Sequence, residues 1–319
     1  MTRCARRAFA LFALMHRGYS PLPHVTGRRA RVAMALTALS GDEQCVIFEK
    51  LCNVLDPGVS VAFSSTNNEL WTLTPAPRQQ LKADHEAAAA LCLKLGLSNC
   101  KELREAKKVV WHHKSLSSDD LPLLGTLGSV LPALERLQLY EPAAGPDGVQ
   151  RLAEKLGAGA LPALTSLDLY GGTHVGDAGA SALAASLGRG ALPRLTVLYL
   201  ANTALGDAGL VALAPALRRL PALERLYLAD DPFGNEGLAA LVAPPPPAGA
   251  PPPPTGGLAK LKALNLGHTQ ISDAGCDALA AALDSGALPA LEHLYLYDTD
   301  ASATAKAAMF AARPGLVGL

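Results

Sequence analysis

Histidines, cysteines and carboxylates are the side chains through which this chain could transfer groups or hold a metal, and their spacing argues against both. His112 and His113 are adjacent, but no Cys or acid stands at ligand spacing to complete a site around them. An exposed loop ahead of the first full repeat is their expected place. His174 and His268 fall in loops of different repeats with no nucleophile nearby. The six cysteines, Cys4, Cys45, Cys52, Cys92, Cys100 and Cys276, form no C-x-x-C pair and sit mostly in apolar patterns. That usage suits reduced thiols in an intracellular, cytoplasmic protein better than a disulfide framework. A phosphate-cradling loop, a dinucleotide fingerprint, H-E-x-x-H and G-x-S-x-G are all missing. The expectation is a protein with no catalytic residues, no cofactor and no metal.

Tyrosine offers a different chemistry, that of contact. Its ring gives a large area at low rotamer cost, and its hydroxyl gives a hydrogen bond at the tip. Six of the seven tyrosines are Tyr140, Tyr170, Tyr199, Tyr227, Tyr295 and Tyr297, and each stands beside a Leu of a short alternating run. In a strand such neighbours point to opposite faces. If the leucines point inward, the other face carries Arg136, Gln138 and Tyr140, then Ser166, Asp168 and Tyr170, then Val197 and Tyr199. It continues with Arg225 and Tyr227, Asn265, and finally His293, Tyr295 and Tyr297. This is the candidate binding face. The alternative is that tyrosine is there because it packs well in strands. Asp230, Asp231, Asp298 and Asp300 would add an acidic rim at one edge, suited to a basic partner.

The elements that position these residues come from a repeat. Leu131-Pro-Ala-Leu-Glu-Arg-Leu-Gln-Leu-Tyr returns in kind at Leu161, Leu192, Leu220, Leu258 and Leu288, at intervals of 28 to 31 residues except one of 38. In the third copy Leu195, Leu198 and Leu200 spell L-x-x-L-x-L. Leu205 turns the chain inward, Asp207 is placed to cap a helix, and Leu210, Leu213 and Leu217 supply its apolar face. Leu103, Val109, Trp111, Leu116 and Leu121 form a weaker copy ahead of the six, and residues 301–319 keep helical composition as a terminal cap. Pro244 to Gly257, PPPPAGAPPPPTGG, stops the preceding helix and forms the long interval. It is either a tolerated polyproline insertion or a ligand for proline-recognising domains.

This strand–loop–helix unit of about 29 residues resembles the ribonuclease-inhibitor class of leucine-rich repeat. The resemblance implies a curved α/β solenoid over residues 101–319, with parallel strands on the concave side and helices outside. Thr203, Asp231, Thr269 and Thr299 stand where that class usually has Asn or Cys, and they can still bond the loop backbone.

Residues 39–100 have another texture. Leu39-Ser-Gly-Asp-Glu opens with a capping signal, and Val46, Ile47, Leu51 and Leu55 follow at helical spacing up to Asp56-Pro57-Gly58. A short helix around Val59 to Ser64, a third near Trp71 and an Ala-rich helix from Ala83 to Leu95 complete a small all-α region. Leu39, Glu43, Ile47, Phe48, Leu51, Leu55, Pro57, Ser64 and Trp71 resemble a divergent F-box. Ser40 replaces the usual opening Pro, and Asn67, Asn68 and Glu69 replace the usual Cys-Arg before the Trp. The resemblance implies docking to the small adaptor subunit of a cullin ubiquitin ligase through Leu39, Ile47, Phe48, Leu51, Leu55, Pro57 and Trp71.

Residues 1–38 carry seven Arg and no acid and suit a disordered tail, an organelle-targeting extension or the leader of a start at Met34. The rest of the chain is mildly acidic, which disfavours nucleic acid, and no segment suits a membrane span. The expected role is a protein-interaction module, monomeric on its own. It is either a ligase substrate adaptor or a stand-alone scaffold or regulator, similar in its repeats to ribonuclease inhibitor and Ran GTPase-activating proteins.

Overall fold

The computed structural model describes residues 40–65, 68–112, 116–140, 147–171, 174–243 and 258–318. The Arg-rich extension, Leu39, Asn67, His113 and the proline-rich stretch 244–257 lie outside them. The chain divides into two compact units, residues 1–90 and 91–319.

In the first unit, Ser40 caps helix α1 (Gly41–Leu51) through a capping box: the Glu43 amide donates to its hydroxyl while the Glu43 carboxylate accepts from its amide. Helices α2 (Gly58–Ser64) and α3 (Asn68–Leu73) follow. Phe48, Phe63 and Leu70 bring the three together, with Ile47, Leu51 and Cys52 packed around them. Helix α4 (Pro75–Leu95) starts eight residues earlier than its Ala-rich stretch suggests. A proline in the first helical turn lacks only an amide that would have had no partner there, so Pro75 begins this helix rather than breaking it.

The second unit is one parallel sheet with a helix after most strands. Asn99 caps α5 (Cys100–Glu105), which leads into β1 (Lys108–His112) and α6 (Asp120–Leu127). The repeats follow as β2 (Arg136–Tyr140), α7 (Asp147–Lys155), β3 (Ser166–Asp168), α8 (Gly176–Gly188), β4 (Val197–Tyr199) and α9 (Asp207–Leu217). They end as β5 (Arg225–Tyr227), α10 (Asn235–Val242), β6 (Ala263–Asn265), α11 (Asp273–Asp284), β7 (His293–Tyr295), α12 (Ala303–Ala311) and β8 (Val317–Gly318). The strands pair in sequence order from β1 to β8. The short strand β8 was not legible in the helical composition of the terminal cap.

Register explains the core. Leu137, Leu167, Leu198, Leu226, Leu264 and Leu294 are paired across adjacent strands, each at most 3% exposed. Trp111 pairs with Leu139 and is equally buried, so the weak first copy is a true strand of the sheet. Its indole N–H has no hydrogen-bond partner. His112 therefore sits at the end of β1 rather than in a loop, and its ring lies 5.5 Å from that of Tyr140.

One expectation needs correction. Asp207 does not cap its own helix. It is the first residue of α9, and its Oδ1 accepts from the Gly234 and Gly237 amides at the start of the next helix, at 2.9 and 2.6 Å. Asp177 does the same for Gly206 and Gly209, at 2.8 and 2.9 Å. Asn235 accepts from the Ser272 amide, and Asp273 from the amide and hydroxyl of Ser302. Each carboxylate or amide thus caps the helix of the following repeat, satisfying donors that a helix leaves orphaned. The recurring glycine is part of the same device. A Cβ on Gly209 would stand 2.5 Å from Asp177 Oδ1, and one on Gly237 would stand 2.9 Å from Asp207 Oδ1.

Candidate functional site

The face of the sheet that carries no helices is built from the non-leucine strand positions, and register sorts them into lines. The central line runs Gln138, Asp168, Tyr199, Tyr227, Asn265 and Tyr295. Tyr199 and Tyr227 are neighbours in it, and their rings stack 4.2 Å apart at 5°. Both are half-buried. Burial and the adjacent Tyr227 hydroxyl raise the Tyr199 hydroxyl above its ordinary pKa, while Arg225 works against them. Asp168, on the other side of Tyr199, is held by Gln138 Nε2 at 3.1 Å and by the Tyr170 amide at 3.1 Å.

Tyr140 and Tyr297 are occupied differently. Each leans over a glycine of a neighbouring strand connection: a Cβ on Gly171 would meet the Tyr140 ring at 2.4 Å, and one on Gly267 the Tyr297 ring at 2.3 Å. Tyr297 also accepts from Asn265 Nδ2 at 3.2 Å and meets His268 edge-on. These two rings shape the sheet's C-terminal edge. Tyr170, half exposed at 51%, stacks at 6.4 Å on Tyr140. Arg136 and Arg225 are exposed, and Ser166, His293 and Tyr295 are half-buried. Val197 lies in register with Ser166 and Arg225 on this face but is only 8% exposed, so it adds little contact area.

The acidic rim is smaller than the sequence suggested. Asp231 is buried, with its carboxylate accepting from the Thr203 and Leu205 amides at 2.8 and 3.0 Å. It is a structural bridge between repeats. The threonines at the equivalent place donate instead to their own strands: Thr203 to Leu200, Thr269 to Leu266 and Thr299 to Leu296. Asp230, Asp298, Asn202 and His268 share a left-handed turn position, with φ between 49 and 59°. Short polar residues tolerate that conformation best, so backbone geometry accounts for Asp230 and Asp298. The latter also lies 3.7 Å from the His268 imidazole.

Burial pushes the Asp231 carboxyl up to about 7, against the opposing pull of the two amides and Thr203, with Asp230 adding to the rise. A folded pKa above the unfolded value means stability present at about pH 4 and lost as pH rises through about 7. Asp231→Asn keeps an acceptor for both amides without the charge. Urea unfolding from pH 4.5 to 8 should show the wild type losing up to about 3 kcal/mol relative to this variant. Parallel profiles would mean that the carboxylate is ionised throughout.

In the first unit, Phe48 and Leu55 are core residues, whereas Ile47 and Leu51 are partly buried. Leu39 lies outside the described residues. The exposed apolar side chains are Val46, Val59, Val61, Trp71 and Leu73. A groove of about 410 Å³ runs past Pro57, Val61 and Trp71 to Arg78, Lys82 and His85. The Arg78 guanidinium lies 3.2 Å over the Trp71 ring. Sequence reasoning missed Arg78; its spacing seven residues beyond Trp71, across a helix break, gave no periodic signal.

Among the described residues no group of three or more His, Cys, Asp or Glu could hold a metal ion, and no helix is long and apolar enough to cross a membrane. The described cysteines Cys45, Cys52, Cys92, Cys100 and Cys276 are free thiols.

Eight parallel strands paired in sequence order from one end of the sheet to the other, with a buried leucine in the same register on successive repeats and a helix after most strands, have the architecture of a leucine-rich-repeat solenoid. Consistent with that, the Leucine Rich repeat family model matches residues 161–184, 192–214 and 257–280. No curated protein matches the chain. Among solved structures 74 chains match. One is an internalin from Listeria monocytogenes str. 4b F2365, 12% identical, covering 74% of this chain and 94% of that one with a TM-score of 0.26. That overlay is too loose to transfer any residue or contact.

Proposed function

We propose that this chain is a non-catalytic protein-recognition module whose helix-free sheet face holds a protein partner. The stacked Tyr199–Tyr227 pair carries the reading: two half-buried aromatic rings at the centre of the sheet, outside the leucine core. Tyr170, Arg136 and Arg225 add exposed contact area along the same face. Rigid aromatic side chains and arginines concentrate in interface hot spots.

A narrower reading is favoured by the first unit, whose exposed Val61 and Trp71 border an apolar groove. In that reading the helical unit docks to the small adaptor subunit of a cullin ubiquitin ligase, and the sheet face selects the substrate. The other reading is a stand-alone scaffold or regulator. The repeat period supports the ribonuclease-inhibitor class equally under both.

One capture experiment tests the set. Tagged full-length chain is compared with Tyr199→Ala/Tyr227→Ala and with Val61→Asp/Trp71→Ala, in lysate and against purified adaptor subunit. The tyrosine variant should melt almost as the wild type does, since a stacked pair is worth about 0.5–1.5 kcal/mol. It should lose captured partner by about 2 kcal/mol or more. Full capture with lowered stability would make the tyrosines structural. If wild-type protein fails to bind the adaptor subunit at micromolar concentration, the scaffold reading stands and the ligase role falls.

A further inference from the structure

The sheet face carries a second line of residues, two residues before the tyrosines of the central line, and it is the least explained feature of the surface. Register aligns Lys108 with Arg136, and the same line continues through Ser166, Val197, Arg225 and Ala263 to His293, so that Arg225 stands three strands from Arg136. Lys108, Arg136 and Arg225 are exposed. None of the three makes an ion pair among the described residues, although carboxylates stand nearby. Glu135 is taken by Lys107 at 3.4 Å and Glu224 by Lys262 at 3.2 Å, all four residues standing immediately before their strands. Asp168 is held by Gln138 and the Tyr170 amide. No acid occupies the line itself.

Lys108 and Arg136 stand directly opposite each other in the ladder. Like charges on facing positions of adjacent strands repel, and a bound carboxylate between them would offset that repulsion. The acidic edge across the face does not ask for a partner in the same way. Asp230 and Asp298 occupy left-handed turns that favour short polar residues, and Asp298 lies beside His268. The cations occupy ordinary strand positions, where the backbone imposes no such requirement.

We propose that the helix-free sheet face takes an acidic protein segment. Its carboxylates meet Lys108, Arg136 and Arg225, and its apolar or aromatic side chains lie on the Tyr199–Tyr227 pair. This rests on the reading of that face as a protein-binding surface. With strands about 4.8 Å apart, the line from Lys108 to Arg225 spans about 19 Å, the reach of some six extended residues. Charge complementarity of this kind governs encounter rate and partner choice. The Asp230 and Asp298 edge repels a long polyanion, which favours a short acidic segment over nucleic acid.

The test uses full-length protein and three labelled probes at low salt: a random Glu/Tyr copolymer, a Lys/Tyr copolymer and an oligothymidylate, read by fluorescence anisotropy. The Glu/Tyr probe should bind, and added salt should weaken it. Arg136→Glu/Arg225→Glu should lower its affinity roughly tenfold or more, Arg136→Gln/Arg225→Gln by less, and Lys155→Glu on the helix layer not at all. Unchanged circular dichroism shows that the exposed substitutions leave the fold intact. Preference for the Lys/Tyr probe, equal binding of oligothymidylate, or no Glu/Tyr binding overturns the acidic assignment. If Tyr199→Ala/Tyr227→Ala abolishes Glu/Tyr binding while the charge reversals do nothing, the charge inference alone falls. If neither variant changes binding, the sheet face is not the binding surface and both readings fall.

Discussion

Leu198→Asp should unfold the repeats around it. Leu198 is 0% exposed, and it lies in register between Leu167 and Leu226 at the middle of the sheet. Its place holds no polar partner, because the strand amides and carbonyls there are committed to the ladder. An aspartate would have to enter this layer either charged, without a counterion, or protonated, without a hydrogen bond. Both cost several kcal/mol, about 3–5 for an uncompensated buried charge. Ordinary domain stability is about 5–15 kcal/mol in total, and a repeat array distributes it through neighbour contacts. Far-ultraviolet circular dichroism should show a lower or broadened melt for Leu198→Asp and for Leu264→Asp. Unchanged cooperative melting of both would mean that these leucines do not face the core.

The periodic part of this architecture was legible because leucine spacing records which side of a strand is buried. L-x-x-L-x-L predicted the burial of Leu198 and Leu200, and with them the face on which Tyr199 stands. Interactions that run between repeats left no comparable trace. Asp207 looked like a cap for the helix it begins, and nothing in sequence distinguishes that helix from the next one as the recipient of its oxygen. Asp231 looked like a rim residue because it follows Asp230, yet one is buried and the other exposed. Tyr140 and Tyr297 resembled the other tyrosines until Gly171 and Gly267 proved to lie beneath their rings. Short local pattern fixes direction; it does not say what the far end of a side chain meets. The same limit explains the cationic line. Lys108, Arg136 and Arg225 are far apart in sequence, and only pairing brings them onto one line, with Lys108 beside Arg136 and Arg225 three strands further on.

The relay from Asp207 to the following helix should show itself as non-additive stability. Asp207→Ala removes one acceptor that serves two amides, Gly234 at 2.9 Å and Gly237 at 2.6 Å, both part-buried. Hydrogen bonds to a charged group contribute about 1.5–3 kcal/mol each, so the variant should lose about 3 kcal/mol or more. Part of that loss reflects the departure of negative charge from a helix N-terminus. Gly237→Ala should also destabilise, since its Cβ would stand 2.9 Å from Asp207 Oδ1. That crowding opposes the gain of about 1 kcal/mol that alanine normally brings to a helix. The remaining neighbours, Leu210 Cδ2 and Cβ at 3.1 and 3.2 Å, can give slightly. In an Asp207→Ala background the oxygen is gone, so Gly237→Ala should become nearly neutral or stabilising there. Urea unfolding of the four proteins closes the cycle, with a coupling of about 1 kcal/mol or more expected for residues that share a contact. Gly237 is the right partner because its tightest contact is the atom that the first substitution deletes; at Gly209, Leu205 Cδ1 at 2.7 Å would remain in the way. Strict additivity would mean that Asp207 and Gly237 are stabilised independently, and that the inter-repeat cap does not set the spacing of successive helices.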